Sequence, residues 1–379
     1  MNPLKALQDQ GQSIWLDYIQ RSMLASGELN RLIVDDGLRG VTSNPAIFEK
    51  AIASSQDYDQ AIETLVAKNP GFTSQDLFYA LAIEDIQGAA DVFRPVYETS
   101  RSRDGYVSLE VSPDLAYDTA GTVNEARSLW ARVNRANLMI KVPATQPGIA
   151  AIETLIAEGI NVNATLLFSV ERYQQVAEAF LRGLEQRRAH GKPVANIASV
   201  ASFFVSRVDS NIDKQLSGFI DKGKGDIAFA REMLGKVAIA NAKLAFAAYR
   251  ELFGSARFAK LAKAGAQSQR VLWASTGTKN DKYSDVLYVE TLIGTDTVNT
   301  LPPATLKAFR DHGKVAATLE HGTGAASRQV DKLKNVGIDL HAVSEQLEQE
   351  GVKIFIDAFH NLLGVIDGKV ETFRRKRKA

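Results

Sequence analysis

The chain has 379 residues, 45% of them hydrophobic and 23% charged, the proportions of a soluble globular protein with a large core, which excludes the disordered and collagen-like classes. Lys+Arg 45 against Asp+Glu 44 leaves a formal net charge of +1, so no global field draws nucleic acid or an anionic membrane, although a local basic patch is enough for a small anionic substrate. With Cys 0 there is no disulfide, thiolate nucleophile, zinc finger or iron–sulfur cluster, and a reducing compartment is compatible.

The first residues, MNPLKALQDQGQSIWLDYIQ, contain neither a long apolar core nor a small-residue cleavage site, and no segment approaches the roughly 20 apolar residues of a membrane span. A cytoplasmic protein is expected. Short β-like runs then alternate with longer segments of helical periodicity, the pattern of an α/β protein. Strands are expected in SIWLD, GLRGVTSN, YVSLEVS, NLMIKVPA, INVNATLLF, IASVASFFV, RVLWAST and DTVNTLP. Each is followed by helix-like sequence, which is the count and order of a (β/α)8 TIM barrel. In SVERYQQVAEAFLRGLEQRRAHG, Ser169 is the expected N-cap and Gly191 the stop, with Val170, Tyr173, Val176, Ala177, Phe180, Leu181 and Leu184 as a core stripe.

A minimal barrel needs roughly 250 residues, so this chain carries additional helices in its connections. One such segment follows Tyr58, where Thr73 and Asp76 have capping-box spacing. Another runs from Asp213 to Gln269, and past Leu301 the tail reads as all helical, with Ile354, Phe355, Ala358, Phe359, Leu362 and Ile366 as its clearest stripe. With no linker, repeat or low-complexity block, a single elaborated domain over residues 1–379 is expected, the barrel from about 13 to 310 and a helical extension from about 311 to 379. The terminal RRKRKA reads as a solvated helix end with cations at the negative end of the dipole.

The polar residues of the strands sort by position. Alternation places Ser108, Glu110 and Ser112 on one face and Val107, Leu109 and Val111 on the other, so Glu110 is expected to point into the barrel. Lys141 shares a face with Met139 and points inward as well. Asn163 and Thr165 lie two apart on the next strand, while Asp17, Asn44 and Ser275 stand near the ends of theirs. Barrel enzymes build their sites from such carboxyl ends. Each residue also has a bland reading. A lone lysine at a strand end snorkels to water, Asn44 before Pro45 starts a turn, Asp17 caps a helix beginning at Tyr18, and Ser275 with TGTKN makes a plain turn or holds a phosphate with Lys279.

The five histidines, His190, His312, His321, His341 and His360, have no metal-ligand spacing, so no metal site is expected. HGTGAAS lacks the third glycine of a dinucleotide fingerprint, and no GxSxG or P-loop pattern occurs. What remains is a buried amine beside acid–base groups, the equipment for a Schiff base with a carbonyl substrate. Burial lowers the amine's pKa and the neighbouring Glu110 raises it.

GVTSNPAIF, VSLEVSPDLAYDT, LMIKVPAT and INVNATLLFS, in this order, resemble the transaldolase family, and a weaker likeness extends from Asp17 to about Leu301. The resemblance implies a class I aldolase barrel that needs no cofactor and moves a dihydroxyacetone unit between sugar phosphates. In the pentose phosphate pathway that unit passes from sedoheptulose 7-phosphate to glyceraldehyde 3-phosphate, giving erythrose 4-phosphate and fructose 6-phosphate. It further implies Lys141 as the Schiff-base lysine and Asp17 as the base for the C4 hydroxyl. Glu110 becomes the proton shuttle, acting through a water with Thr165. Asn44 and Asn163, with Ser202 beside them, would bind the dihydroxyacetone hydroxyls. Arg207 would hold the phosphate with Ser275.

The chain departs from the family pattern twice. SFFVSR keeps Ser202, Phe204 and Arg207 where many members read Ser-Pro-Phe-Val-Gly-Arg, and Gly277 stands where many have an arginine, leaving Lys279 as the candidate second phosphate cation. Two other readings stay open. One is a sugar-phosphate aldolase of the same superfamily, a branch that tends to be shorter and to carry Tyr where this chain has Phe204. The other is a catalytically dead barrel, which would be expected to have lost Lys141, Glu110 or Asp17. A monomer or homodimer is expected.

Overall fold

A computed structural model describes residues 2–223 and 225–376. Among them eight parallel strands close in chain order into a barrel, β1 Gln12–Leu16, β2 Gly40–Val41, β3 Tyr106–Glu110, β4 Leu138–Pro143, β5 Val162–Leu167, β6 Ser199–Phe204, β7 Arg270–Ala274 and β8 Thr297–Leu301, with β8 pairing back onto β1. Every strand is buried along its whole length, as expected when a parallel sheet has side chains packed inside it and helices outside. The expected strand positions are met, with β2 reduced to two residues. A Cβ at Gly40 would stand 2.6 Å from the Trp15 ring and 2.8 Å from the Tyr106 carbonyl, so only glycine fits between these neighbours.

Local signals set the helix starts. Ser169 accepts a hydrogen bond from the Arg172 amide and opens Val170–Ala189, and Thr73 with Asp76 forms the reciprocal capping box of Ser74–Thr99. The additional material before β7 forms Ile227–Met233, Val237–Phe253 and Ala256–Ala262. At the amino ends of the strands, Arg270 pairs with Asp104 at 2.8 Å, and Ser13 both donates to Asp104 and accepts from Arg270, so this buried network closes the barrel floor. Polar chemistry is left to the other end.

The tail forms Pro303–His312, Thr323–Leu333 and the long helix Leu340–Lys376, which lies across the barrel's carboxyl end and packs on Pro45–Ala53, Ser74–Thr99 and Ser206–Lys222. Its buried stripe is Val352, Phe355, Phe359, Leu362, Ile366 and Val370, whereas Ile354 is 48% exposed, contrary to its place in the expected stripe. The rotation follows from helical geometry, because Phe355, Phe359 and Leu362 define one line and Ile354 falls a residue to its side. Of the terminal basic run, residues 377–379 lie outside the described residues.

Candidate active site

Lys141 and Glu110 face each other across the β3–β4 pair, where they are direct register partners. Lys141 is 4% exposed and Glu110 5%, and the Lys141 Nζ stands 3.5 Å from Glu110 Oε2. The amine also donates to the Ser43 carbonyl at 3.2 Å. It therefore does not snorkel to water. Burial pushes the Glu110 carboxyl up to about 7, with the Lys141 ammonium opposing the shift and Asp17 adding to it.

A cavity of about 180 Å³ opens above this pair, and Asp17, Asn44, Lys141, Thr165, Ser202, Phe204, Arg207, Ser275 and Lys279 all line it. Asp17 follows β1 directly and accepts a hydrogen bond from Thr42 Oγ1 at 2.7 Å, while the Thr42 hydroxyl lies 2.8 Å from that of Thr300. It caps no helix: the next one begins at Arg21, with Gln20 in the N-cap position. Asn44 serves two ends, since its side chain accepts from the Ile47 amide as the N-cap of Pro45–Ala53 while the residue borders the cavity.

Two of the expected residues stand behind the lining rather than in it. Glu110 borders a small apolar recess with Phe48, Phe78 and Phe359. Asn163 is fully buried, its amide donating to Ser108 Oγ at 3.1 Å and accepting from Ser202 Oγ at 2.7 Å. Asn163 thus orients Ser202 and spaces β3 from β6. Thr165 Oγ1 and both Glu110 carboxylate oxygens are buried without a hydrogen-bond partner among the described residues. Immediately after Thr165, the strand bulges at Leu166, whose φ is 64°, and the β5–β6 register shifts there.

Two further cations line the cavity, Arg207 and Lys279. Arg207 sits in the first turn of Ser206–Lys222, with its guanidinium 5.3 Å from the Phe204 ring centroid and without a hydrogen bond or ion pair among the described residues. Burial lowers its pKa, opposed by Asp17 and Glu350. Ser275 takes a left-handed turn, φ 55°, in which its carbonyl accepts from the Ser206 amide at 3.0 Å and the two hydroxyls lie 2.9 Å apart. Lys279 is exposed at the rim, on a loop tied down by Tyr283, whose hydroxyl donates to Asp213 at 2.8 Å. A helix start, a free guanidinium and a lysine are groups that favour an anion.

Thr42, Thr300 and Phe355 line the cavity too; Phe355 reads in the sequence only as a core position of the tail, and Thr300 carries no signal. Thr42 sits two residues before Asn44 in the extended segment after β2, which is the one signal that marks it. The five histidines are all exposed, and among the described residues no group of three or more His, Cys, Asp or Glu is placed to hold a metal ion.

With the barrel and its polar mouth described, comparison with known proteins gives the family. The family described as transaldolase/fructose-6-phosphate aldolase matches residues 14–366. The chain belongs to this family. It is 50% identical over 364 residues to a transaldolase of Saccharopolyspora erythraea, with 96% of each chain covered. It is 48% identical over 376 residues to a transaldolase 2 of a Nostoc species, covering 98% of each chain. A Mycolicibacterium smegmatis transaldolase is 46% identical over 376 residues, with 99% of each covered. These family members are similar throughout their length, so the likeness includes the helical tail as well as the barrel. No helix among the described residues is long and apolar enough to cross a membrane.

Proposed function

We propose that this chain transfers a dihydroxyacetone unit from a ketose phosphate to an aldose phosphate through a Schiff base on Lys141. Transaldolase activity follows from the family and from relatives of that name over nearly the full length. The observation that carries the residue assignment is the buried Lys141–Glu110 pair at 3.5 Å, opening onto a cavity that Arg207 and Lys279 also line. Lys141 attacks the C2 carbonyl of fructose 6-phosphate or sedoheptulose 7-phosphate, and water leaves as the imine forms. Glu110 and Thr165, each with unpartnered oxygens, are suited to pass the protons through a bridging water. Asp17 takes the C4 hydroxyl proton as the C3–C4 bond breaks. Asn44 and Ser202 bind the dihydroxyacetone hydroxyls, Asn163 orienting Ser202 from behind, and Phe204 walls the sugar. Arg207, Ser275 and Lys279 hold the phosphate. The tail's packing on the barrel supports a single unit over residues 1–379, acting as a monomer or homodimer in the cytoplasm.

The test is borohydride reduction during incubation with fructose 6-phosphate, followed by peptide mass mapping. A reduced dihydroxyacetone adduct on Lys141 is expected. An adduct on a different lysine, or none, refutes the assignment.

The pH dependence follows from the pair. Below about pH 7 the Glu110 carboxyl is neutral and cannot take a proton as the imine forms. Above it, the Glu110 carboxylate can accept that proton beside the Lys141 nitrogen. Adduct formation at low fructose 6-phosphate should therefore rise with pH through an inflexion near 7 that Glu110→Gln removes. A wild-type rate that is flat between about pH 6 and 8, or an unchanged inflexion in the variant, would contradict this role.

A further inference from the structure

We propose that Phe355, carried over the barrel mouth by the C-terminal helix, keeps water from the lysine-bound intermediate and so sets the partition between transfer and hydrolysis. The inference rests on the Schiff-base reading of Lys141. It concerns a residue far outside the strand motifs and gives the tail a role in the reaction.

The geometry is specific. Phe355 is 4% exposed, lines the cavity, and holds its ring centroid 5.6 Å from the Lys141 Nζ. The helix bearing it is fastened around the rim of the barrel. Glu348 pairs with Arg172 at 2.9 Å, His360 with Asp114 at 3.1 Å, and Lys369 with Asp59 at 2.6 Å, while Ser74 donates to Asp367. Its approach to the site is close as well as fixed. A Cβ at Gly351 would lie 3.0 Å from Leu166 Cδ2 and 3.7 Å from Arg207 Nη1, so a glycine here lets the helix settle on the β5 bulge beside the phosphate anchor.

The chemistry needs such a wall. When the C3–C4 bond breaks, its electron pair moves into the imine to give an enamine on Lys141, and the aldose phosphate leaves. The enamine has two fates. In transfer, C3 attacks the carbonyl carbon of the incoming aldose, a new carbon–carbon bond forms, the acceptor oxygen takes the proton held by Asp17, and water then adds at C2 of the resulting imine to expel the Lys141 amine and release the ketose phosphate. In hydrolysis, C3 is protonated, solvent water adds at C2, and the Lys141 amine is expelled with release of free dihydroxyacetone. The intermediate has to wait for an acceptor that is far scarcer than water. Both routes end in hydrolysis of an imine, so they diverge where C3 is protonated before an acceptor arrives. An aromatic ring beside the lysine limits bulk solvent at the waiting enamine without offering it a hydrogen bond, and its electron-rich face also favours the cationic imine that precedes cleavage.

The test measures two rates in purified full-length protein: dihydroxyacetone released from fructose 6-phosphate without acceptor, and transfer from fructose 6-phosphate to erythrose 4-phosphate. Phe355→Ala is expected to raise the ratio of release to transfer by about tenfold or more, and Phe355→Val, which leaves part of the wall, by about threefold. Should the alanine variant not fold, the valine variant decides. A ratio equal to that of the wild type, whether both rates are kept or fall together, overturns the proposal, because a merely structural residue would lower the two in step. If the wild-type protein gives no trapped adduct, the Schiff-base reading itself fails. A wild type that traps and transfers, with variants of unchanged ratio, refutes this inference alone.

Discussion

Asp17→Asn is expected to form the imine and stop there, accumulating the uncleaved six-carbon adduct while transfer falls by about 10²–10⁴-fold, the usual contribution of a positioned general base. The substitution preserves the shape of the side chain, and the amide oxygen can still accept the 2.7 Å hydrogen bond from Thr42. What it removes is the capacity to take a proton. Imine formation depends on the buried pair of Glu110 and Lys141, so borohydride should still trap a product on Lys141, now carrying the intact sugar. Mass mapping separates this from the wild-type adduct by the size of the bound fragment. Normal turnover, or loss of trapping altogether, would show that Asp17 does not divide the labour in this way. The second result would make it part of the imine-forming apparatus, with Thr42 and Thr300 as its partners through the short hydroxyl chain.

Much of this architecture is legible in the sequence because parallel barrel strands impose simple rules. Their period of two fixes which side chains enter the barrel, so Glu110 and Lys141 can be placed inward, and neighbours in chain order become neighbours in space. Other features depend on register or on distant packing. Asn163 shares the strand face of the cavity-lining Thr165, yet its amide is taken by Ser108 and Ser202, a contact fixed by three strands at once. The bulge at Leu166 is marked by no glycine or proline, because tertiary packing holds the left-handed turn. Ser275 adopts a similar turn for the same reason, pinned by Ser206. Asn44 shows that a structural and a functional reading need not compete, since one side chain caps a helix and borders the cavity.

Phe355 is the plainest case of illegibility. An apolar residue at helical spacing signals burial, and Phe359 and Leu362 on the same stripe are buried against the barrel's outer elements. Nothing local distinguishes the one that reaches the lysine. Its position follows from the packing of the tail helix on Pro45–Ala53 and from polar contacts between the tail and the rim, each of them individually weak and meaningful only as a set.

Arg207→Ala is expected to raise KM for fructose 6-phosphate by roughly ten- to hundredfold, as the loss of a charge-assisted phosphate contact worth about 1.5–3 kcal/mol requires. The guanidinium suits the role because it is committed to nothing else. It makes no hydrogen bond or ion pair among the described residues, it rests over Phe204 at 5.3 Å, and Ser275 borders the same cavity. A surface salt bridge of the usual kind would be worth at most about 1 kcal/mol of stability and would leave the kinetics untouched. Truncation should also relieve some burial of charge, so the folded state is not expected to suffer. The decisive comparison is with a substrate that has no phosphate. Reactivity toward free dihydroxyacetone should change little in the variant, because Lys141, Glu110 and Asp17 are all in place for it. If kcat/KM falls equally for both substrates, Arg207 supports the shape of the site rather than gripping the phosphate. If it falls for neither, Lys279 becomes the anchor, and its exposed position at the rim would have to close over the ligand.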